Sequence, residues 1–496
     1  MKAISNIDIA TRIARDNPWW SNAGQRPPED DMPRRTYFPP FSALALDERI
    51  KRAVVLLGPR RVGKTVMIKQ LISKALDDGW DAGRILYASI DTPVYSGTSL
   101  EQFLSLLPDN SGRALVIFDE IQYLRDWEVH LKDLVDSYPT IKFVATGSAA
   151  AALRLKSNES GAGRFTDFML PPLTFHEFLV FIGKDADLIS VTTDVDTKFD
   201  RYKSNNIEGL NSAFIDYLNY GGFPEAVLNP VVRENPDQFV RSDIIDKVLL
   251  KDLPSLYGID QIQELNKLFT FLAYNAGNEA SLDNVSKQAE MAKPTIKRYI
   301  EYLESAFLIM KVANVDQNCK SMQRERAFKV YLNNPSMRAA LFNPVNASDT
   351  DIIGHLAESA VFSQWQHGNS SRSLRYARWK SGEVDIVSIY PGNQSADWAV
   401  ELKWSDRPTK DASQLSNLVS FCRINKLERA TCTTKTVRTK RTYGEVEVDF
   451  VPTALYCYTV GRNITKHLKD RSLAVNSIDD EELEEQAEMF SEDDMS

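Results

Sequence analysis

The chain has 496 residues, 43% hydrophobic and 26% charged, so it is long enough for two to four packed domains and is composed like a soluble globular protein. No apolar run approaches the ~20 residues that cross a bilayer, and the opening Met-Lys-Ala-Ile-Ser-Asn-Ile-Asp lacks a signal peptide's apolar core. Cys319, Cys422, Cys432 and Cys457 are scattered with no Cys-x-x-Cys, which argues against a zinc site or a disulfide framework and fits a reducing cytoplasm with no membrane. The net charge of −9 is concentrated at one end: ten of the 68 acids lie in 479–494, which hold no Lys or Arg. The remainder is near neutral, so any nucleic-acid surface must be a local patch.

Residues 1–45 are polar and proline-bearing, with the pair Trp19-Trp20 and the run Tyr37-Phe38-Pro39-Pro40-Phe41. They predict a helix and then an arm that packs onto the next domain. An apolar run, Ala53 to Leu57, then stops at Gly58-Pro59-Arg60-Arg61-Val62-Gly63-Lys64-Thr65, and Val66 to Ile72 carries apolar residues at helical spacing. Strand, glycine loop and helix make a P-loop. Its backbone N–H groups cradle phosphates, and Gly58 and Gly63 permit the loop's close approach. Lys64 reaches the β- and γ-phosphates of ATP, and Thr65 holds Mg²⁺. The whole stretch Gly58, Pro59, Arg60, Arg61, Val62, Gly63, Lys64 and Thr65 is expected to contact the nucleotide, at the positive end of the following helix.

Arg84 to Asp91 predicts a second buried strand. In Ala114-Leu115-Val116-Ile117-Phe118-Asp119-Glu120 an apolar run meets two acids about fifty residues after the P-loop. Asp119 is expected in the Mg²⁺ shell, with Glu120 as the general base for the attacking water. Ile141 to Ser148 predicts another strand, whose Thr146 or Ser148 either senses the γ-phosphate or caps the alanine-rich stretch that follows. Arg164, just before the strand around Phe168, is either an arginine finger or a surface arginine.

Gly-Pro-Arg-Arg-Val-Gly-Lys-Thr, Phe-Asp-Glu-Ile-Gln, Thr-Gly-Ser, Gly-Arg-Phe, Leu-Pro-Pro-Leu-Thr-Phe-His-Glu-Phe and Tyr217 to Glu225 together resemble a prokaryotic AAA+ ATPase family. Its members typically carry a C-terminal restriction-endonuclease-like domain of unknown function. The resemblance covers roughly residues 35–465 and implies a fold and an ATPase rather than a biological role. It implies an AAA+ core over 46–185 and a helical lid over 186–260; the polar, Thr- and Asp-rich stretch 191–206 reads as an exposed loop or an insertion.

Residues 261–335 predict three helices and a hairpin, a winged helix-turn-helix. The third helix, Thr295 to Leu303, buries Ile296, Tyr299, Ile300 and Leu303. Lys297 and Arg298 face outward, where they either meet DNA phosphates or see no DNA because the module packs on its neighbours. Residues 336–475 predict an α/β domain. A helix carries Glu358, and two strands around Asp385 and Glu401 join in a hairpin. Alternation puts Glu401 and Lys403 on one face beside Asp385. The carboxylates of Asp385 and Glu401 make a Mg²⁺ site, and Lys403 is the catalytic proton carrier beside it, a set suited to phosphodiester hydrolysis. The pattern is similar to the PD-(D/E)xK nuclease core, with Val384 where that motif has proline. The bland alternative is a solvated sheet edge or a degenerate nuclease fold. Residues 476–496 are an acidic tail that either competes for a basic patch or is simply solvated.

The expected architecture is therefore α/β: a P-loop AAA+ parallel-sheet domain, a helical lid, a winged helix and a restriction-endonuclease-like domain. Two functions remain open at this level. One is ATP hydrolysis that controls a nucleic-acid enzyme. The other is a nucleotide-dependent switch binding DNA or protein, with an inactive C-terminal domain. A homo-oligomer is left open by the sequence, and an Arg164 finger acting in trans would need one.

Overall fold

The computed structural model describes residues 6–108, 112–147, 163–193, 200–320, 327–367, 373–390, 392 and 394–473. The chain divides into two compact units, residues 1–171 with 468–473, and residues 172–467. No helix among the described residues is long and apolar enough to cross a membrane.

The first unit is built on strands β1 (Ala53–Leu57), β2 (Ile85–Ser89), β3 (Ala114–Asp119), β4 (Ile141–Gly147) and β5 (Phe165–Met169). All pair in parallel, in the order β2-β3-β4-β1-β5. β1 and β3 are buried at every residue, which is why they read as continuous apolar runs rather than alternating ones. β4 lies between β1 and β3, so the loop after β1 and the acids ending β3 flank the end of β4. That sheet order positions the site.

The N-terminal arm answers the sheet's edge problem. β2 is an edge strand with free backbone groups. Asn17 brackets it: its Nδ2 donates to Tyr87 O at 2.9 Å, and Tyr87 N donates to its Oδ1 at 2.6 Å. Trp19 and Trp20 both donate their indole N–H to Ile85 O, at 2.9 and 2.7 Å. An amide thus does the work of a neighbouring strand. Further along, buried Arg35 donates to Val62 O at 2.8 Å and Pro171 O at 3.0 Å, tying the P-loop to the chain leaving β5. Asn17→Leu should leave two buried backbone groups unpaired, lowering stability by about 2–4 kcal/mol. Thermal unfolding checks this as an earlier first transition; an unchanged profile would show that the bracket contributes nothing.

The second unit holds a nine-stranded sheet in the order β15-β16-β14-β13-β12-β11-β9-β10-β8, and a separate hairpin, β6 (Ile189–Thr193) with β7 (Asp200–Ser204). β8 (Glu279–Ala280), β9 (Ile309–Val315) and β10 (Phe328–Leu332) are antiparallel neighbours. They accompany the helices Ile262–Tyr274, Leu282–Ala289 and Lys293–Ser305. The last of these buries Ile296, Tyr299, Ile300 and Leu303 and exposes Lys297 and Arg298, matching the periodicity. β11 (Leu374–Trp379), β12 (Gly382–Ile389) and β13 (Ala396–Glu401) form an antiparallel meander. β14 (Arg429–Thr434) and β16 (Val446–Pro452) continue it in parallel, and β15 (Thr439–Tyr443) closes the edge. Helix Ser416–Asn425 packs on β12, β13 and β14, with Leu418, Phe421 and Cys422 beside Val384, Ala399 and Cys432.

Residues 207–257 are helical for most of their length, in keeping with the helices expected over 186–260. The stretch expected as an exposed loop contains the β6–β7 hairpin, and the helices around it belong to the second unit. The cause is apolar: Phe175, Phe178, Phe214 and Tyr217 share one core with Ile353, Val361, Tyr376 and Val400. All four cysteines are buried and free. The acidic tail, 476–496, lies outside the described residues.

Candidate nucleotide site and candidate metal centre

The loop between β1 and the helix Lys64–Asp77 has the expected form. Gly63 caps the helix at φ +96°, a conformation that favours glycine. Gly58 is needed for a different reason from the one anticipated. A Cβ there would lie 2.2 Å from Leu170 O, so the end of β5, rather than a ligand, requires the glycine. Lys64 is buried, and its Nζ donates to Gly58 O at 3.0 Å and Pro59 O at 2.7 Å. This ammonium and the helix's positive end converge on one loop, an arrangement suited to phosphate. Arg60 reaches Tyr123 OH at 3.3 Å, and Arg61 is exposed at φ +64°.

Asp119 sits at the end of β3 among three hydroxyls. Thr65 Oγ1 donates to its Oδ2 at 3.0 Å, Tyr87 OH to the same oxygen at 2.9 Å, and Thr146 Oγ1 to Oδ1. Burial pushes the Asp119 carboxyl above the usual range, against the pull of these hydroxyls. A hydroxyl and a buried carboxylate with that electrostatic strain form the hard-oxygen donor set that fits Mg²⁺. Thr146 is therefore a positioning residue: besides Asp119, it accepts from Glu120 N at 3.0 Å. Glu120 turns away from the strand at φ +53°, and its carboxylate accepts from Gln122 Nε2. Lys69 lies over the Tyr87 ring, 3.2 Å from its centroid, and burial lowers its pKa. Ser148 lies outside the described residues. Arg164 is not with the others. Its carbonyl pairs with Ala53 N, at the start of β1, and its guanidinium is salt-bridged to Asp136. The P-loop leaves the far end of β1, about 16 Å along a five-residue strand.

In the second unit the register Ile386↔Val400 sets Asp385 opposite Glu401. β12 bulges here: Arg375 faces Val387 but Ala377 faces Val384, so β12 carries one extra residue around Asp385. Bulges re-aim side chains next to functional sites. Lys403 Nζ lies 2.6 Å from Glu401 Oε1 and 3.6 Å from Asp385 Oδ2. Leu402 N donates to Asp385 Oδ2 at 2.8 Å, and Lys403 N donates to Thr433 Oγ1 at 2.7 Å, fixing the backbone between the two charges. Burial, then the charge of Asp385, lifts Glu401 to about 8. The same two causes lift Glu358 to about 7. Glu401 Oε2 is buried and unbonded. That orphaned oxygen in an all-oxygen set fits a divalent cation, although among the described residues no three His, Cys, Asp or Glu are spaced to hold one. Sequence reasoning missed Lys329. Its Nζ lies 2.6 Å from Glu383 and 3.6 Å from Glu358, and its signal was a lysine inside the apolar run Phe328 to Leu332.

Comparison with known proteins bears on these units. Residues 50–179 match a family described as "AAA domain", and 211–348 match a domain of unknown function, DUF8612. An uncharacterized protein of Haemophilus influenzae is 27% identical over 297 residues, covering 58% of this chain and 68% of its own length. An uncharacterized protein of Methanocaldococcus jannaschii is 25% identical over 361 residues, 69% and 73% of the two chains. Among solved structures, the Cdc6p of Pyrobaculum aerophilum aligns at 13% identity with a TM-score of 0.29, covering 66% of this chain and 97% of that one. The match over 50–179 and the five-stranded parallel sheet with its glycine loop make the first unit an AAA-type P-loop domain, which suggests nucleotide binding.

Proposed function

We propose that the chain binds and hydrolyses ATP in its first unit and uses that cycle to govern a nuclease-like centre in its second unit that acts on nucleic acid. The observation that carries the first half is the Thr65–Asp119 bond, 3.0 Å, beside the buried Lys64. It joins the P-loop helix to β3, which is what holding a nucleotide with its metal requires. Lys64 and the loop N–H groups hold the phosphates. Glu120 takes the proton of the attacking water. Mg²⁺, when bound, neutralises charge on the phosphate oxygens.

Arg164 lies at the opposite end of β1 from the P-loop, so it is proposed to act in trans on a neighbouring subunit. ATP turnover per subunit should then rise with protein concentration. Arg164→Ala should lower turnover by about 10³-fold or more. Mixing it with Glu120→Gln chains should restore part of the turnover, because a mixed interface pairs an intact Arg164 with an intact Glu120. Concentration-independent hydrolysis by a monomer would rule the trans role out.

For the second unit, the convergence of Asp385, Glu401 and Lys403 from β12 and β13 supports a restriction-endonuclease-like centre. There Asp385 and Glu401 would hold Mg²⁺, which lends Lewis acidity when bound, and Lys403 would orient the attacking water or meet the developing charge. The helices Leu282–Ala289 and Lys293–Ser305 with β8–β10 support a winged helix whose Lys297 and Arg298 meet DNA phosphates. The second reading, a nucleotide-dependent binding switch for DNA or protein, is favoured by one observation: among the described residues only two acids, not three, come together for a metal. Incubation with Mg²⁺ or Mn²⁺ and single- or double-stranded DNA or RNA separates the two. Products support the enzyme, and binding without products supports the switch.

A further inference from the structure

Lys329 is a buried charge on a strand that belongs to another part of the second unit than the carboxylates it meets. β10 pairs with β9 and β8, in register Lys329↔Val312 and Lys329↔Glu279, alongside the three helices of 262–305. Its side chain is only 5% exposed, so it cannot reach out to a substrate. Instead Nζ contacts Glu383 Oε1 at 2.6 Å and Glu358 Oε2 at 3.6 Å. Tyr331, two residues on and therefore on the same face of β10, donates its OH to that same Glu358 oxygen at 3.0 Å. Arg378 occupies the other oxygen of Glu383.

A buried ammonium is costly unless it is paired, and the acids that pair this one flank the Asp385–Glu401 centre. Glu383 precedes Asp385 by two residues on β12, and Glu358 repels the Asp385 charge. Glu358 is thus an acid near the centre whose Oε2 is held by a lysine and a tyrosine from β10. That arrangement accounts for a centre with two convergent carboxylates although Glu358 and Glu383 stand close by.

We propose that Lys329 is a resident countercation that withholds Glu358 from a divalent ion at Asp385 and Glu401, so that the strand carrying it sets the metal affinity of the centre. The inference rests on reading that centre as a metal site. It makes Lys329 a positioning residue, acting through Glu358.

The test is Mn²⁺ binding to the full chain, followed by calorimetry and by the Mn²⁺ electron paramagnetic resonance signal. Lys329→Met should bind about tenfold more tightly than wild type, as expected when one adjacent positive charge is removed and a third carboxylate is released. Lys329→Met with Glu358→Gln should return to within about threefold of wild type, and Glu358→Gln alone should stay within about twofold. A purely structural lysine would leave affinity unchanged and move only the unfolding temperature. The proposal is overturned if folded Lys329→Met binds no more tightly. It is overturned equally if Glu358→Gln alone weakens binding about tenfold, which would make Glu358 a ligand already; this arm decides the matter even if Lys329→Met does not fold. Binding by wild type with either of those results overturns the role of Lys329 and leaves the metal site standing. Absence of binding in both wild type and Lys329→Met overturns the metal reading as well.

Discussion

Lys64→Ala is expected to weaken ATP binding by about 10²–10⁴-fold, the equivalent of two charge-assisted hydrogen bonds at about 1.5–3 kcal/mol each. The residue is buried at the first turn of its helix, and its ammonium is aimed at the loop's own carbonyls, Gly58 O and Pro59 O. No other lysine or arginine of the loop is buried: Arg61 is exposed and Arg60 partly so. Phosphate therefore loses its principal countercharge, and the backbone N–H groups with the helix's positive end cannot replace it. The fold should survive, because Arg35 still ties Val62 O to Pro171 O and Gly58 still accommodates Leu170 O. Equilibrium binding of a fluorescent ATP analogue, with thermal unfolding as the control for folding, checks this. Affinity near that of wild type would remove Lys64 from the phosphate site.

Asp385→Ala and Glu401→Ala should each abolish divalent-dependent nucleic-acid cleavage and leave ATP hydrolysis near its wild-type rate. Each carboxylate answers the other across the β12–β13 register, and Lys403 supplies one positive charge to the two of them. Burial, and then the negative charge of Asp385, lift Glu401 to about 8. A divalent ion binds the ionised form and must displace that proton below pH 8. Apparent metal affinity should therefore rise with pH through 7 to 8 and level off above it. Lys403→Ala should slow cleavage without releasing the ion. A metal titration at several pH values and a cleavage assay on DNA and RNA, with and without ATP, test these outcomes. Cleavage that persists in Asp385→Ala would place the chemistry elsewhere.

The glycine loop and the acids ending β3 were legible because their signals are local. A glycine loop between an apolar run and a helical pattern, and a second apolar run ending in Asp119 and Glu120, depend on residue identities at fixed spacing. The role of Thr146 was not legible, since it follows from β4 lying between β1 and β3, and sheet order is a tertiary outcome. The same holds for Asn17, an ordinary polar residue until β2 proves to be an edge. The helices around 207–257 were assigned to a lid because they follow the ATPase motifs. Phe214 and Tyr217 share a core with Phe175 and Phe178 and also with Ile353, Val361 and Tyr376, more than a hundred residues later, which no periodicity reveals. The β6–β7 hairpin carried a local signal in its β-branched stretch Val191-Thr192-Thr193, which the surrounding Asp and Thr content obscured. For the second unit, alternation correctly paired Glu401 with Lys403, while Lys329 stood out only as a charge in an apolar strand.

ATP turnover by Glu120→Gln, measured as phosphate release alongside nucleotide binding on the same preparation, decides whether Glu120 is the general base of an ATPase. Glu120 stands at the mouth of β3 with its backbone fixed by Thr146. Glutamine keeps the shape and the contact with Gln122 but cannot accept the water's proton. Wild-type affinity for ATP with turnover reduced by about 10²–10⁴-fold is the predicted result. Equal phosphate release by wild type and Glu120→Gln would contradict it.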